Sequence, residues 1–172
     1  MHPPFDFAPG KGAVQHALRH YDDHGECLFC EMTEEELQDQ ERIVTRAEHF
    51  VALELHAPAA PFSTHIDPRR HMASFGDISA AEINELARML RTVLAKLYHG
   101  LEDPDFNFTI RSAAAESAGV KNSHWKLSVI PPLARVAGFE LGSGTVINTV
   151  LPEVAEFLGK VDAENAALAA GK

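Results

Sequence analysis

Cysteine and tryptophan are scarce: two of the former and one of the latter in 172 residues. Two cysteines cannot build a disulfide scaffold, so the fold has to close on its own core in a reducing compartment. Long hydrophobic runs are missing. None approaches the roughly 20 residues that a bilayer span requires. The opening stretch MHPPFDFAPGKG carries no apolar segment of the kind a secretory signal needs. Clustered positive charge is also absent. Fifteen Lys and Arg against twenty-five Asp and Glu give a net charge of −10, and a phosphate backbone would find no basic patch to bind. No internal repeat or low-complexity block appears. These absences predict a cytoplasmic, single-domain protein that engages neither nucleic acid nor membrane.

What is present divides into three parts: residues 1–24, an amino-terminal arm and short helix; 25–160, the main domain; and 161–172, a tail. In the arm, Val14, Leu18 and Tyr21 fall on one face of a helix over residues 11–21 that should stop near Gly25. Thr33 and Glu36 form a capping-box pattern that predicts a short acidic helix. Strand-like runs follow at 42–45, 50–55 and 61–67, the last leading into the basic turn Pro68, Arg69, Arg70, His71. The clearest element is a long helix over 79–98. Ser79 and Glu82 form a capping box there, and Ile83, Leu86, Ala87, Leu90, Val93, Leu94 and Leu97 recur at helical spacing. Gly100 and Pro104 end it. Phe106, Phe108 and Ile110 alternate with polar residues, which reads as a strand with one buried side. A loop over 113–122 leads to a second alternating run at 124–130.

In that last run Trp125, Leu127 and Val129 share one face and suit a core; His124, Lys126 and Ser128 share the other. Extended geometry places neighbours on a face roughly 6.6–6.8 Å apart, so three functional side chains stand in a row. The predicted fold is therefore α+β: an antiparallel sheet with one long helix packed on one face and a polar site on the other. Cys27 and Cys30 form a C-x-x-C, which by itself reads as half a metal site or as a redox pair. No thioredoxin-like βαβ pattern surrounds it. His16, His20 and His24 recur every four residues and offer further ligands or simply a solvated helix face. Gly138, Gly142 and Gly144 lack the context of a phosphate loop and are expected in turns, with Glu140 among them positioned for a sugar or a partner. Arg69 and Arg70 are expected exposed, or facing an anion.

Several stretches together resemble the histidine-triad (HIT) superfamily, and more narrowly the carboxy-terminal domain of galactose-1-phosphate uridylyltransferases. They are G-E-C-L-F-C from Gly25, R-I-V-T-R-A-E-H-F-V-A-L from Arg42, P-R-R-H from Pro68, H-W-K-L-S-V-I-P-P-L-A-R from His124, A-G-F-E-L-G-S-G from Ala137, V-I-N-T-V from Val146, and Pro152 with Glu153. The resemblance runs from about Gly25 to Leu158. It implies a HIT-like fold, a homodimer, and a zinc site at Cys27, Cys30, His71 and His124. Two thiolates and two imidazoles are also what a closed tetrahedral zinc site takes.

The resemblance further implies a nucleotidyl-carrying histidine at the middle position of the H-x-H motif. This chain has Lys126 there and Ser128 beyond it. A lysine is a cation at neutral pH and a poor nucleophile, although a cation and a hydroxyl suit a phosphate. In the uridylyltransferases, moreover, the nucleophile belongs to the amino-terminal domain. Arg111, Lys121, Asn122, Ser123, Lys126 and Ser128 are therefore the expected ligand-binding residues, with Lys126 at the catalytic position. The leading expectation is a zinc-stabilised HIT-like domain that binds a nucleotide, nucleotide-sugar or sugar phosphate. The alternatives are an active nucleotidyltransferase or hydrolase like galactose-1-phosphate uridylyltransferase, and a non-catalytic dimeric interaction module.

Overall fold

The computed structural model describes residues 11–58, 60–113, 121–133, 138–145, 147–148 and 150–151. The predicted tail at 161–172 and loop residues 114–120 lie outside them. Two helices come first, α1 (Lys11–His24) and α2 (Leu28–Asp39), then strands β1 (Ile43–Arg46), β2 (Phe50–Glu54) and β3 (Thr64–Pro68). The long helix α3 (Ala80–Gly100), strands β4 (Asn107–Arg111) and β5 (Lys126–Ile130), and the short helix α4 (Gly138–Ser143) complete the described chain. The strands form one antiparallel five-stranded sheet in the order β1-β2-β3-β5-β4. The α+β, HIT-like prediction holds.

Helix α3 begins as its capping box dictates: the Ser79 hydroxyl accepts from the Glu82 N–H, and the Glu82 carboxylate accepts from the Ser79 N–H. This satisfies two of the donors that a helix start leaves open. The helix lies over β1 and β2. Its inward residues Leu86, Met89, Val93 and Leu97 meet Phe50, Ala52, Ile66, Trp125, Leu127 and Val129 in a single core. Val93 is wholly buried, worth about 1.5–3 kcal/mol. The predicted stripe is rotated slightly, with Met89 taking the place expected for Ile83, which is half exposed.

Four expectations need correction. Helix α2 does not start at Thr33 but directly after Cys27, its N-cap, and the Thr33 hydroxyl instead donates to the Phe29 carbonyl inside the helix. Helix α1 buries Ala17, whereas Leu18 is 47% exposed. Strand β4 buries neither side: every residue in it is exposed. It is one edge of the sheet, and α3 lies over β1 and β2 toward the opposite edge. Gly138 and Gly142 belong to a helical turn, while Gly144 does occupy a left-handed turn position.

Candidate metal centre and the polar face beside it

The local sequence brings the two sulfurs together. Gly25, at φ +78°, ends α1 with its N–H bonded to the Tyr21 carbonyl at 2.8 Å. A side chain would be strained at that φ, so glycine suits the sharp exit. Two residues later Cys27 serves as N-cap of α2, and Cys30 sits in its first turn. N-cap and third-position side chains face one another across a helix start, and the positive end of the helix favours thiolates there. His71 follows the turn after β3, and His124 immediately precedes β5.

Across 41 and 94 residues of sequence, respectively, the Cys30 Sγ lies 3.4 Å from His71 Nδ1 and 3.3 Å from His124 Nδ1. One ligand atom from each of Cys27, Cys30, His71 and His124 lies within 4.8 Å of the other three. Metal–sulfur bonds of about 2.3 Å and metal–nitrogen bonds of about 2.0–2.1 Å at a tetrahedral angle put sulfur and nitrogen roughly 3.6 Å apart. The observed separations fit that geometry. The second nitrogen of His124 reinforces it: Nε2 lies 2.9 Å from the Pro68 carbonyl. A carbonyl only accepts, so Nε2 carries the proton and Nδ1 presents its lone pair toward the sulfurs, as a metal-ligating imidazole requires. The sulfurs are poised likewise. The Cys30 thiol beside Cys27 draws the Cys27 pKa down to about 3 against the opposing effect of burial, and Cys27 in turn pushes Cys30 up. Both thiols would have to give up their protons to hold a cation.

Strand β5 then carries Lys126 and Ser128 away from this centre, on the face opposite Leu127 and Val129. Arg111 stands directly across from Lys126, and Thr109 across from Ser128. On the other side of β5, His65 stands across from Ser128. Ile66 pairs with Leu127, so Asp67 and Lys126 are the next facing positions. Lys126 also lies 5.7 Å from the centroid of the Phe29 ring on α2, within cation–π reach. Burial lowers the Lys126 pKa, Asp67 opposes that, and Arg111 adds to it. Burial, then Lys126 and Arg111, hold His65 neutral with a pKa of about 3. Burial raises the Asp67 pKa, offset first by Lys126.

Arg111 is thus the cross-strand neighbour of Lys126, and Ser128 follows two positions along β5. Lys121, Asn122 and Ser123 precede His124 and the start of β5. His65 and Asp67 were missed. Alternation along β3 would have found them, because it sets both on the face away from the buried Ile66. Arg70 meets a side chain, donating to the Glu82 carboxylate at 2.6 and 3.0 Å. Arg69 reaches the Ala47 and Glu48 carbonyls. His20 and His24 stack on α1, and His20 pairs with Glu31 at 2.8 Å. The three helix histidines do not join the cysteine centre. Glu48, His49 and Glu85 form a second, more exposed grouping, in which the Glu85 carboxylate already accepts the His49 N–H at 2.7 Å. A cleft of about 380 Å³ beside Cys30 is lined by Thr33, Glu34, Glu48, Arg69 and Glu82, among others, and not by the Lys126 face.

Among the described residues, the sheet, one long helix over it and a metal-competent group at the ends of the interior strands β3 and β5 make a fold of the histidine-triad type. The model of the galactose-1-phosphate uridyl transferase carboxy-terminal domain matches residues 14–142, and the chain belongs to that family. Galactose-1-phosphate uridylyltransferase of Thermotoga maritima is 33% identical over 162 residues, covering 88% of this chain and 50% of that protein. The solved ADP-glucose phosphorylase of Arabidopsis thaliana with bound ADP-glucose superposes with TM-score 0.75 at 27% identity, over 88% of this chain and 48% of that one. A zinc-bound histidine triad protein of Mycobacterium smegmatis, at 19% identity and TM-score 0.56, shares the fold over 83% of this chain and 96% of its own. The chain spans half or less of the length of these curated uridylyltransferase and phosphorylase relatives.

Proposed function

We propose that this chain is a zinc-stabilised HIT-like domain that binds a nucleotide sugar, nucleotide or sugar phosphate on the polar face of its sheet, without histidine-based nucleotidyl transfer. The observation that carries the reading is the convergence of four metal-competent atoms at the foot of the strand that presents Lys126 and Ser128. Two thiolates and two imidazoles favour zinc over harder cations. Cys27, Cys30, His71 and His124 would hold the ion, and its part would be to tie the first two helices to the sheet. Lys126, Arg111 and Ser128 would supply charge and a hydroxyl to phosphate oxygens, with Lys121, Asn122 and Ser123 at the strand's entrance. The uridylyltransferase and ADP-glucose phosphorylase relatives support the ligand class. A cation in place of an imidazole at position 126 argues against a covalent intermediate there.

Two tests apply together. Metal analysis of untagged protein is expected to give about one zinc per chain, and calorimetric titration with UDP-glucose, ADP-glucose, UMP and galactose 1-phosphate is expected to show saturable binding of at least one. No binding of any at millimolar concentration overturns the ligand reading. A uridylyl adduct in the intact mass after incubation with UDP-glucose would favour the active transferase instead.

We also propose a homodimer formed through β4, in a reducing compartment such as the cytoplasm. The edge strand leaves backbone groups open, with Phe106, Phe108 and Ile110 exposed at 46, 58 and 41%, and such an edge invites another strand. A monomer by sedimentation equilibrium at tens of micromolar would rule this out.

A further inference from the structure

Strand register lays the polar face out in rungs. One rung runs through Leu53, His65, Ser128 and Thr109 across β2, β3, β5 and β4. The next, roughly 6.6–6.8 Å along the strands, carries Asp67, Lys126 and Arg111. Side chains facing one another on a rung stand about 4.5–5.5 Å apart at Cβ, so the His65 ring and the Ser128 hydroxyl are neighbours. The first rung bears no formal charge: burial above all, with Lys126 and Arg111 adding to it, holds the His65 pKa at about 3. Its Nδ1 is nevertheless a buried atom with no hydrogen-bond partner among the described residues, whereas buried polar atoms are ordinarily satisfied. Ser128 is 8% exposed, and buried Leu53 closes one end of the rung. The other end opens at Thr109 on the edge strand.

The unmet nitrogen sets the chemistry of what completes it. A neutral imidazole has one N–H and one bare nitrogen, and which of them is Nδ1 depends on the tautomer. A hydroxyl serves either tautomer because it both donates and accepts; a carbonyl or an ammonium serves only one. A phosphate on this rung would set a desolvated charge among uncharged side chains, which is costly. We propose that His65 and Ser128 form a subsite for the hydroxyls of a sugar whose phosphate lies one rung away, at Arg111. The inference rests on the ligand reading above and deepens it by fixing which way the ligand lies. The phosphate points toward the end of β5 that follows His124, and the sugar lies further along the strand. The ribose of a nucleotide and the ring of a hexose phosphate both offer such hydroxyls, so the recognised chemistry is the same for either source.

The test titrates UMP, 2′,3′-dideoxy-UMP and galactose 1-phosphate calorimetrically into the full chain, as wild type, His65→Phe and Ser128→Ala. His65→Phe keeps a flat ring and removes both nitrogens; Ser128→Ala removes one oxygen. Each should weaken a hydroxylated probe about two- to tenfold, the worth of one hydrogen bond, and leave the dideoxy nucleotide unchanged. The loss falls on UMP if a ribose occupies the subsite and on galactose 1-phosphate if a hexose does. A loss on the dideoxy nucleotide, or no loss on any probe, overturns the subsite while the ligand reading stands. A wild type that binds none of the three at millimolar concentration overturns the subsite as well, and the ligand reading falls with it only if nucleotide sugars also fail to bind. Should His65→Phe not fold by circular dichroism, Ser128→Ala decides alone.

Discussion

Removing the metal should release the first two helices while leaving the sheet intact. Among the described residues, the main core cluster contains none before Val44, and α1 and α2 contribute Ala17 and Cys27 to the buried apolar set. Beyond the cysteine centre, α2 is attached through the Arg42–Glu36 ion pair at 2.8 Å and the Phe29–Lys126 contact. The ion pair, with both side chains about nine-tenths buried, contributes roughly 1.5–3 kcal/mol. Under the zinc reading proposed above, an ion at 100 to 1,000 times its dissociation constant would add about 2.7–4.1 kcal/mol, more than the ion pair. The Cys27→Ser variant, or wild type with a chelator, should lose that increment from the local opening of residues 11–39. Amide exchange there should then accelerate about 100- to 1,000-fold, while amides of α3 and β2 keep their protection. The assay is hydrogen exchange read by mass spectrometry on zinc-loaded wild type, chelated wild type and Cys27→Ser. Equal protection of residues 11–39 in all three would refute the reasoning. So would an equal loss in α3, which would mean that the metal supports the whole domain rather than its first two helices.

Two further outcomes follow from named contacts. Glu82 holds the Arg70 side chain, and so the turn that delivers His71. Glu82→Gln should cost about 1.5–3 kcal/mol by urea denaturation, because it breaks a charged bidentate pair at a carboxylate that is 7% exposed. Arg70, then the Ser79 N–H, hold the folded pKa of Glu82 down at about 2. The unfolded value is about 4.3, so the stability gap between wild type and variant should be full above that pH and close as pH falls toward 2; a pH-independent gap would contradict the pairing. His65 has the reverse chemistry. Its folded pKa of about 3 lies below the unfolded value near 6.5, so between those limits the unfolded chain binds the extra proton, and stability falls as pH drops. In chelated protein, where the metal ligands no longer contribute, His65→Leu should flatten that fall; an unchanged pH–stability slope would show that the histidine is not buried neutral.

Local signals were legible wherever the chemistry is local. The Ser79–Glu82 box names the start of α3 because both partners lie within one turn, and C-x-x-C brings two sulfurs together because N-cap and third position face one another. Thr33 with Glu36 has the same pattern but loses to Cys27. Starting the helix earlier satisfies the Glu31 N–H through the Cys27 carbonyl at 3.1 Å and places Phe29 against Lys126, a tertiary gain that no capping statistic contains. Strand β4 was misjudged for a related reason. Alternation shows that Phe108 and Ile110 share a face, yet whether anything covers that face depends on where α3 lies, and it lies over β1 and β2.

The polar face shows the same boundary between what one segment encodes and what pairing adds. Period-two spacing alone placed Lys126 and Ser128 side by side, but that spacing gives both the same chemistry whether their neighbours are apolar or charged. The register of β3 against β5 supplies His65 and Asp67, and the register of β4 against β5 supplies Arg111. A lysine flanked by a carboxylate and an arginine beneath an aromatic ring differs from the solvent-exposed lysine that the motif alone suggests. Burial lowers its pKa, Asp67 opposes that shift and Arg111 adds to it. Lys126, standing where the H-x-H motif has its middle histidine, therefore belongs to a patch that β3 and β4 complete.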